Sequence, residues 1–215
     1  MEAMFEFFKR GGWEMWLIMF IGLAAFAIAI ERFVVLYFKA SVDKDRFISN
    51  VHRAILAGDL NSAVNFCNER SSPMSNIIKA GIIAVMNKSK EDEVQTSMDV
   101  AALREIPKIE RRTPYLALLG NVATLCGLFA TIIGLIESFQ AVAGTDPAQK
   151  ATMLAGGIAK AMNGTAAGLI VAIPTLLASA ILVSRTQRIL DDVHEVSVAT
   201  LNMILQNRDK FPSRG

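Results

Sequence analysis

The sequence predicts an all-α membrane protein, with three transmembrane helices extended by cytoplasmic helices, the N-terminus outside and the C-terminus in the cytoplasm. Three observations support this class. The 215 residues are 53% hydrophobic, and their mean hydropathy of +0.39 is high for a soluble domain. The apolar residues concentrate in three blocks, with the charged residues between them. Lys and Arg are distributed unevenly among the connecting segments, which predicts an orientation.

The first apolar block covers residues 16–38 and is interrupted only by Glu31 and Arg32 near its far end. A transmembrane helix needs about 20 mainly apolar residues, which this block supplies. A cleaved signal peptide is the competing interpretation. Acidic residues as well as Lys9 and Arg10 precede the block, and no small-residue cleavage site follows it. We therefore expect a retained helix.

The second and third blocks run from about Tyr115 to Val142 and from about Met153 to Val183. Only the short polar stretch GTDPAQK joins them, so we expect an antiparallel hairpin. In lipid, small residues allow close helix packing, and the third block carries a stripe of them at steps of three or four: Gly157, Ala161, Gly164, Gly168 and Ala172. The predicted segments are therefore residues 1–38 with the first span, a cytoplasmic segment 39–112, the hairpin 113–184, and a cytoplasmic C-terminal helix 185–215.

The orientation follows from the Lys and Arg counts. Residues 39–112 hold twelve of them, whereas the hairpin loop holds only Lys150 and the chain start only two. Beyond the third span come five more: Arg185, Arg188, Arg208, Lys210 and Arg214. Because cytoplasmic segments carry the excess of positive charge, the N-terminus and the hairpin loop should face outside.

The middle segment is polar but has helical periodicity. A break is expected at Gly58 and Asp59, and the Ser-Pro pair at 72–73 is typical of a helix start. Residues 90–113 begin acidic and end basic, which suits a helix dipole. The segment is too short and too charged for a separate enzyme domain. We expect helices that extend the membrane spans, and the same for the tail from Arg185.

No catalytic or nucleotide-binding motif occurs in the sequence. There is no phosphate loop, dinucleotide fingerprint or nucleophile elbow. Cys67 and Cys126 lack metal-ligand spacing and are interpreted as free thiols, and His52 and His194 as solvated side chains. The basic stretches accompany membrane topology and do not form a nucleic-acid surface. We expect no enzyme activity, no cofactor and no metal site.

Two ionisable residues lie inside the hairpin. Glu137 is 11 residues before Ala148, at the centre of the loop, and Lys160 is 12 residues after it. The two residues should therefore lie at nearly the same depth, toward the outer surface. They can form a charge pair at an outer entrance, or each can extend separately to the membrane interface.

Hydroxyl side chains share a deeper level of the hairpin. Thr131 and Thr165 each lie 17 residues from Ala148, on adjacent helices near mid-membrane, and Thr124, Thr131 and Ser138 repeat at seven-residue spacing. They can line an ion path, although any one of them can also bond its own helix backbone. Because no carboxylate of the hairpin lies at this depth, the proton-binding acid is expected from a partner.

Three stretches of the sequence resemble the MotA/TolQ/ExbB proton channel family, most closely its TolQ/ExbB branch. The stretches are AGDLNSAVNFCNERSSPMSNIIKAGI in the middle segment, EIPKIERRTPYLALLGNVATLCGLFATIIGLIESFQ into the second span, and GGIAKAMNGTAAGLIVAIPTLLASAIL in the third span. The core TAAGLIVAIP is the most specific of them.

The resemblance implies the channel subunit of a proton-driven motor in the bacterial inner membrane. It implies a homo-oligomer, expected to be a pentamer, around single-span partners of the ExbD/TolR kind that carry a membrane aspartate. A periplasm-spanning TonB/TolA-like protein and membrane lipids complete the expected partners. Thr131 and Thr165 match the family's pore threonines, and Pro174 matches its third-span proline, which would bend the helix.

This chain also departs from the family pattern. The family often has glutamate where this chain has Lys160, proline where it has Thr124, and glycine where it has Ala130. These departures leave the driving ion and the branch open, with a gliding- or flagellar-stator-type motor subunit as the alternative. From another functional class, a membrane scaffold that conducts no ions would use the threonines only for packing.

Overall fold

The computed structural model describes residues 12–40, 44–69, 72–144 and 146–207. Every regular element in these ranges is helical, as predicted. Seven α-helices follow one another: α1 Glu14–Val34, α2 Lys44–Leu56, α3 Leu60–Glu69, α4 Pro73–Met86, α5 Glu91–Glu110, α6 Thr113–Val142 and α7 Pro147–Gln206. A π-helical turn, Val35–Lys39, extends α1. Six of the charges behind the orientation, Lys9, Arg10, Arg70, Arg208, Lys210 and Arg214, lie outside the described residues.

Three helical stretches are long and apolar enough to cross a membrane: Glu14–Phe38, Glu91–Val142 and Pro147–Gln206. The last is a single helix of 60 residues. At a rise of 1.5 Å per residue it is about 90 Å long, whereas a bilayer core is about 30 Å thick. The predicted third span and C-terminal helix are therefore parts of one helix, which continues through Pro174 and past residue 184.

The chain divides into two compact units. The first, Met1–Arg32 with Arg112–Leu182, contains α1, α6 and the first part of α7. Its core consists of small and medium side chains, among them Ile18, Ala123, Ala167 and Ala172. The opposite side of α1 is strongly apolar yet open, with Phe20 71% and Phe26 66% exposed. Such a face suits lipid rather than water.

At one end of this unit, charged side chains connect α1 to α6. Arg112 has a left-handed backbone with φ of 69° at the N-terminus of α6. Its Nη1 donates to Glu31 Oε2 of α1 at 2.5 Å, and the buried Arg32 lies 3.6 Å from the other Glu31 oxygen. Glu31, one of the two charged residues that interrupt the first apolar block, thus contacts the start of α6.

The second unit, Phe33–Arg111 with Val183–Gly215, contains α2 to α5 and the last part of α7. Helices α2, α3, α4 and α5 pack in sequence, each on the next. The expected break falls at Gly58, whose φ is +75°, and the expected helix start is Ser72, whose hydroxyl accepts from Ser75 N–H at 3.1 Å. The buried side chains of this second unit include Ile55, Ile78 and Val196.

Polar contacts join α2 to α7 in this unit. Lys44 Nζ donates to Glu195 at 2.5 Å and to Asp192 at 3.1 Å, and these hydrogen bonds raise the pKa of Lys44. His52 corrects one expectation. It is half-buried, with Nε2 3.4 Å from Thr200 Oγ1, and burial lowers its pKa, whereas His194 is exposed as expected. The helical repeat of α2 places His52 next to α7. The charged residues beside His52 in the sequence did not indicate this contact.

Both cysteines are free thiols, as the sequence indicated. Cys67 is buried in α3, and this burial raises the pKa of its thiol to about 11. A thiol with such a pKa is almost entirely protonated at neutral pH and is a poor nucleophile. Within the described residues, no group of three or more His, Cys, Asp or Glu side chains is arranged to hold a metal ion.

Candidate functional site

The candidate site lies between α6 and α7, whose contact surface is built from small residues. Helix α6 has glycine at every seventh position, Gly120, Gly127 and Gly134, and all three are buried. A Cβ atom added to Gly127 would lie 3.1 Å from the Gly164 carbonyl oxygen and 3.1 Å from the Gly168 Cα. The two backbones are therefore in direct contact at this level, which only glycine permits.

The predicted small-residue stripe of α7 faces this glycine series. Ala161 packs on Gly134, Gly164 on Ala130, Gly168 on Ala123 and Gly127, and Gly157 on Ser138. The Ala172 carbonyl oxygen would lie 3.5 Å from a Cβ atom on Gly120. All five stripe residues thus point toward α6 along the shared interface.

The three hydroxyls of the seven-residue series on α6 each bond the carbonyl of the glycine one turn before them. Thr124 donates to the Gly120 carbonyl at 3.2 Å, Thr131 to Gly127 at 3.1 Å and Ser138 to Gly134 at 2.5 Å. A hydroxyl that bonds its own backbone places no unsatisfied donor in an apolar surrounding. The three differ in access, since Thr124 is exposed, Thr131 is half-buried and Ser138 is buried against Gly157.

Thr131 and Thr165 are in contact across the hairpin. Their Oγ1 atoms form a hydrogen bond, and Thr165 Oγ1 also lies within hydrogen-bond distance of the Gly127 carbonyl oxygen, at 3.2 Å. Both hydroxyls therefore converge on one carbonyl oxygen. Since each hydroxyl has one proton, either Thr131 donates to the carbonyl and accepts from Thr165, or the reverse. We call Thr131 and Thr165 the hydroxyl pair.

The hydroxyl pair can relay a hydrogen bond but cannot store a proton at neutral pH, because a threonine hydroxyl does not ionise there. Both side chains are half-buried, so the pair is not sealed inside the hairpin. The arrangement can orient a water molecule or meet a polar group on another helix.

Glu137 and Lys160 form the second polar contact of the hairpin. Lys160 Nζ donates to Glu137 Oε2 at 3.2 Å, and both side chains are exposed. The structure therefore brings together the two charges that the sequence placed at one depth. Glu137 thus neutralises the positive charge of Lys160 on α7.

Glu14 is a charged residue of this region that the sequence analysis did not select. It lies at the start of α1 and is only 6% exposed. With Glu137 and Lys160 it lines a small pocket of the first unit. A depth count similar to that used for the hairpin could have drawn attention to it, but α1 has no paired helix whose connecting loop supplies a reference point.

Comparison with known proteins supports the resemblance. The sequence profile described as the MotA/TolQ/ExbB proton channel family matches residues 69–195, which is more than half of the chain. The chain belongs to the MotA/TolQ/ExbB proton channel family. The matched region contains the hydroxyl pair and the ion pair, whereas Glu14 lies before it.

Relatives of this family member include the Tol-Pal system protein TolQ of Haemophilus influenzae, 43% identical over 84 residues, which are 38% of this chain and 36% of TolQ. A putative biopolymer transport protein ExbB homolog of Methanothermobacter thermautotrophicus is 31% identical over 170 residues, covering 78% of this chain and 58% of the homolog. The match thus spans about a third to a little over half of these relatives' own length.

Among solved structures, that of C. jejuni MotAB has the same fold. The superposition has a TM-score of 0.55, with 14% sequence identity, and covers 96% of this family member and 87% of the MotAB chain. Family membership and the three apolar helices make the chain a multi-pass membrane protein.

Proposed function

We propose that this chain is the ion-conducting subunit of a proton-driven motor in the bacterial inner membrane, where it couples proton-motive force to work on periplasmic or outer-membrane partners. The observation that carries the proposal is the hydroxyl pair, which lies within a close-packed interface and is not sealed inside it. Membership of a proton channel family supports the same function. Enzyme activity is not part of the proposal, because the family is one of channels and the sequence contains no catalytic motif.

The accessible part of the hydroxyl pair is where a partner would pack. The hydroxyls can hydrogen-bond but cannot carry the proton, so the path needs a carboxylate at this depth. A single-span protein with one aspartate in its membrane segment, of the ExbD/TolR kind, would supply it. In this arrangement Thr131 and Thr165 orient the water or carboxyl group that moves the proton, while Thr124 extends the polar line along α6 and the buried Ser138 acts through packing.

Several copies of this chain would surround such partners. A polar partner at the hydroxyl pair would need protein rather than lipid on its other sides. We propose a homo-oligomer, with a pentamer as the expected number, and a TonB/TolA-like protein as the recipient of the work. The Glu137–Lys160 pair would lie at the outer entrance, and Pro174 would weaken one helical hydrogen bond of α7 and permit bending.

The test is a reconstitution in liposomes. The chain is purified with the aspartate-bearing protein from its own genome and incorporated into vesicles, and proton uptake is measured after an inside-negative potential is imposed. We expect uptake that requires both proteins and is abolished when the partner's aspartate is replaced by asparagine. The control is the chain alone, which should leave the vesicles tight.

Two results would contradict the proposal. Uptake that is unaffected by the partner's aspartate would place the proton path elsewhere. No uptake by the intact complex, together with normal assembly, would favour a scaffold that conducts no ions, in which the threonines serve only packing.

A further inference from the structure

A small pocket of the first unit is lined in part by the ion pair. It is lined by three charged residues, Glu14, Glu137 and Lys160, and by small residues that include Ala130 and Gly164. Its volume of about 10 Å³ is close to the 10–15 Å³ that one water molecule needs. A polar pocket of this size is therefore suited to a single water.

The three charged residues of the pocket differ in their partners. Glu137 and Lys160 neutralise each other across 3.2 Å. Glu14 is 94% buried, and among the described residues its carboxylate has neither a hydrogen-bond nor an ion-pair partner. Glu14 is the first residue of the first apolar helix, and a buried ionisable side chain without a partner at such a position is a candidate functional site. Glu14 is the pocket residue whose capacity to bind a proton is not already engaged.

The local backbone makes room for this carboxylate. Gly12 has a φ of +87°, a conformation that favours glycine. A Cβ atom at Gly12 would overlap with Glu14 Oε2. The positive φ is the reason for glycine at this position, and the absence of a Cβ atom leaves the Glu14 carboxylate in the place it occupies.

The pocket also reaches the helical level of the hydroxyl pair. Two of its lining residues, Ala130 and Gly164, directly precede Thr131 and Thr165 in the chain. The helical rise from Glu137 back to Thr131 is about 9 Å. A carboxyl group and one water can bridge much of such an interval, since each hydrogen bond joins atoms about 2.8 Å apart.

We propose that Glu14 is a proton-binding residue of the ion path, and that hydronium is what its pocket receives. The step is a simple transfer. Hydronium gives one proton to the Glu14 carboxylate and leaves as water, and the carboxylic acid then passes that proton to the pocket water and becomes a carboxylate again. Lys160 stays paired with Glu137 throughout. This role rests on the proposed proton conduction.

The first test compares proton uptake by the reconstituted complex with Glu14→Gln, Glu14→Asp and Asp146→Asn. Glutamine keeps the size but cannot bind a proton, so we expect uptake to fall on the order of ten- to a hundredfold. Aspartate keeps the acid and should restore most of the uptake. Asp146→Asn removes an exposed carboxylate that only caps the Ala148 N–H at 3.1 Å, and it should leave uptake unchanged.

The second test reads the proton directly. Infrared difference spectra of the purified complex, recorded between acidic and neutral pH, should contain a carbonyl band of a protonated carboxylic acid that is missing in Glu14→Gln. A normal elution profile of the variant in size-exclusion chromatography shows that it has folded and assembled.

The outcomes separate the two proposals. If the parent conducts and Glu14→Gln conducts equally, the role of Glu14 is wrong and the proposed function stands. If the parent does not conduct, the conduction step at Glu14 falls together with the proposed function. A carbonyl signal that loses no component in Glu14→Gln contradicts proton binding at Glu14 whatever the uptake result.

Discussion

At the scale of single residues, Glu137 and Lys160 place two opposite charges in the hairpin, and each is the ion-pair partner of the other. Each side chain is about half exposed in the isolated chain, at 55% and 44%. Exposed ion pairs contribute little stability, typically below about 1 kcal/mol. The cost of an unpaired charge is higher where the surrounding is apolar. The value of the pair should therefore appear mainly when one partner is removed.

A double-mutant cycle tests this. Lys160→Met and Glu137→Gln each leave one charge without its partner, whereas the double variant leaves none. We expect both single variants to unfold at lower temperature than the parent in detergent, and the double variant to recover, with a coupling energy of about 0.5–1 kcal/mol. Additive losses, measured by tryptophan fluorescence during heating, would mean that the two side chains act independently.

At this scale, depth along the hairpin could be predicted because both helices share one connecting loop. Counting from Ala148 placed Thr131 level with Thr165, and Glu137 level with Lys160, and both pairs are in contact. Two features escaped this count. The burial of Glu14 depends on how α1 packs on the hairpin, and the shared bond to the Gly127 carbonyl depends on the distance between two backbones. Neither is encoded in the spacing along one segment.

At the scale of elements, the close approach of α6 and α7 depends on glycine. A Cβ atom at Gly168 would lie 2.7 Å from the Ala123 carbonyl oxygen and 2.9 Å from the Gly127 Cα. These are backbone atoms, so the helices themselves would have to separate. Separation would also stretch the hydrogen bond between Thr131 and Thr165.

Gly168→Ala should therefore destabilise the hairpin by about 1–3 kcal/mol. The matched control is Gly156→Ala on the same helix, where no atom lies within 4 Å of an added Cβ. Because alanine favours helix over glycine, that variant should be neutral or up to about 1 kcal/mol more stable. Thermal unfolding of the purified variants measures both, and equal stability of the two would contradict the packing account.

The small-residue spacing of α7 was readable in the sequence, but its counterpart on α6 was overlooked. Glycine precedes each of Thr124, Thr131 and Ser138 by four residues, a pattern visible beside the hydroxyls. The sequence also predicts that the tail from Arg185 extends the third span, and α7 continues through this position. Nothing near residues 184–185 breaks a helix, and the single Pro174 removes only one backbone donor, so the helix continues to Gln206.

At the scale of the whole molecule, the number and order of the apolar helices followed from hydropathy, because a bilayer demands satisfied backbones and about 20 apolar residues for each span. The orientation and the segment boundaries stay predictions, since they depend on where the membrane lies. The number of copies and the partner also cannot follow from one chain, because they depend on surfaces supplied by other molecules.

The predicted orientation can be tested with cysteines introduced into a variant in which Cys67 and Cys126 are replaced by alanine. A cysteine at Gln149, in the first turn of α7, should react from outside intact cells with a membrane-impermeant maleimide. A cysteine at Gln187, beyond the third apolar block, should react only after the cells are opened, because the positive charges hold that segment in the cytoplasm. The reverse pattern would invert the topology.

The central claim is that the hydroxyl pair forms part of the ion path, and one comparison tests it most directly. Thr165→Val removes the hydroxyl while keeping the volume, and Thr175→Val makes the same change on the same helix, where the hydroxyl bonds only the Val171 carbonyl at 2.7 Å. In liposomes with the aspartate-bearing partner, the account predicts that proton uptake collapses in Thr165→Val and stays at the parent rate in Thr175→Val. Equal uptake by Thr165→Val and the parent would contradict it and return Thr165 to a packing role.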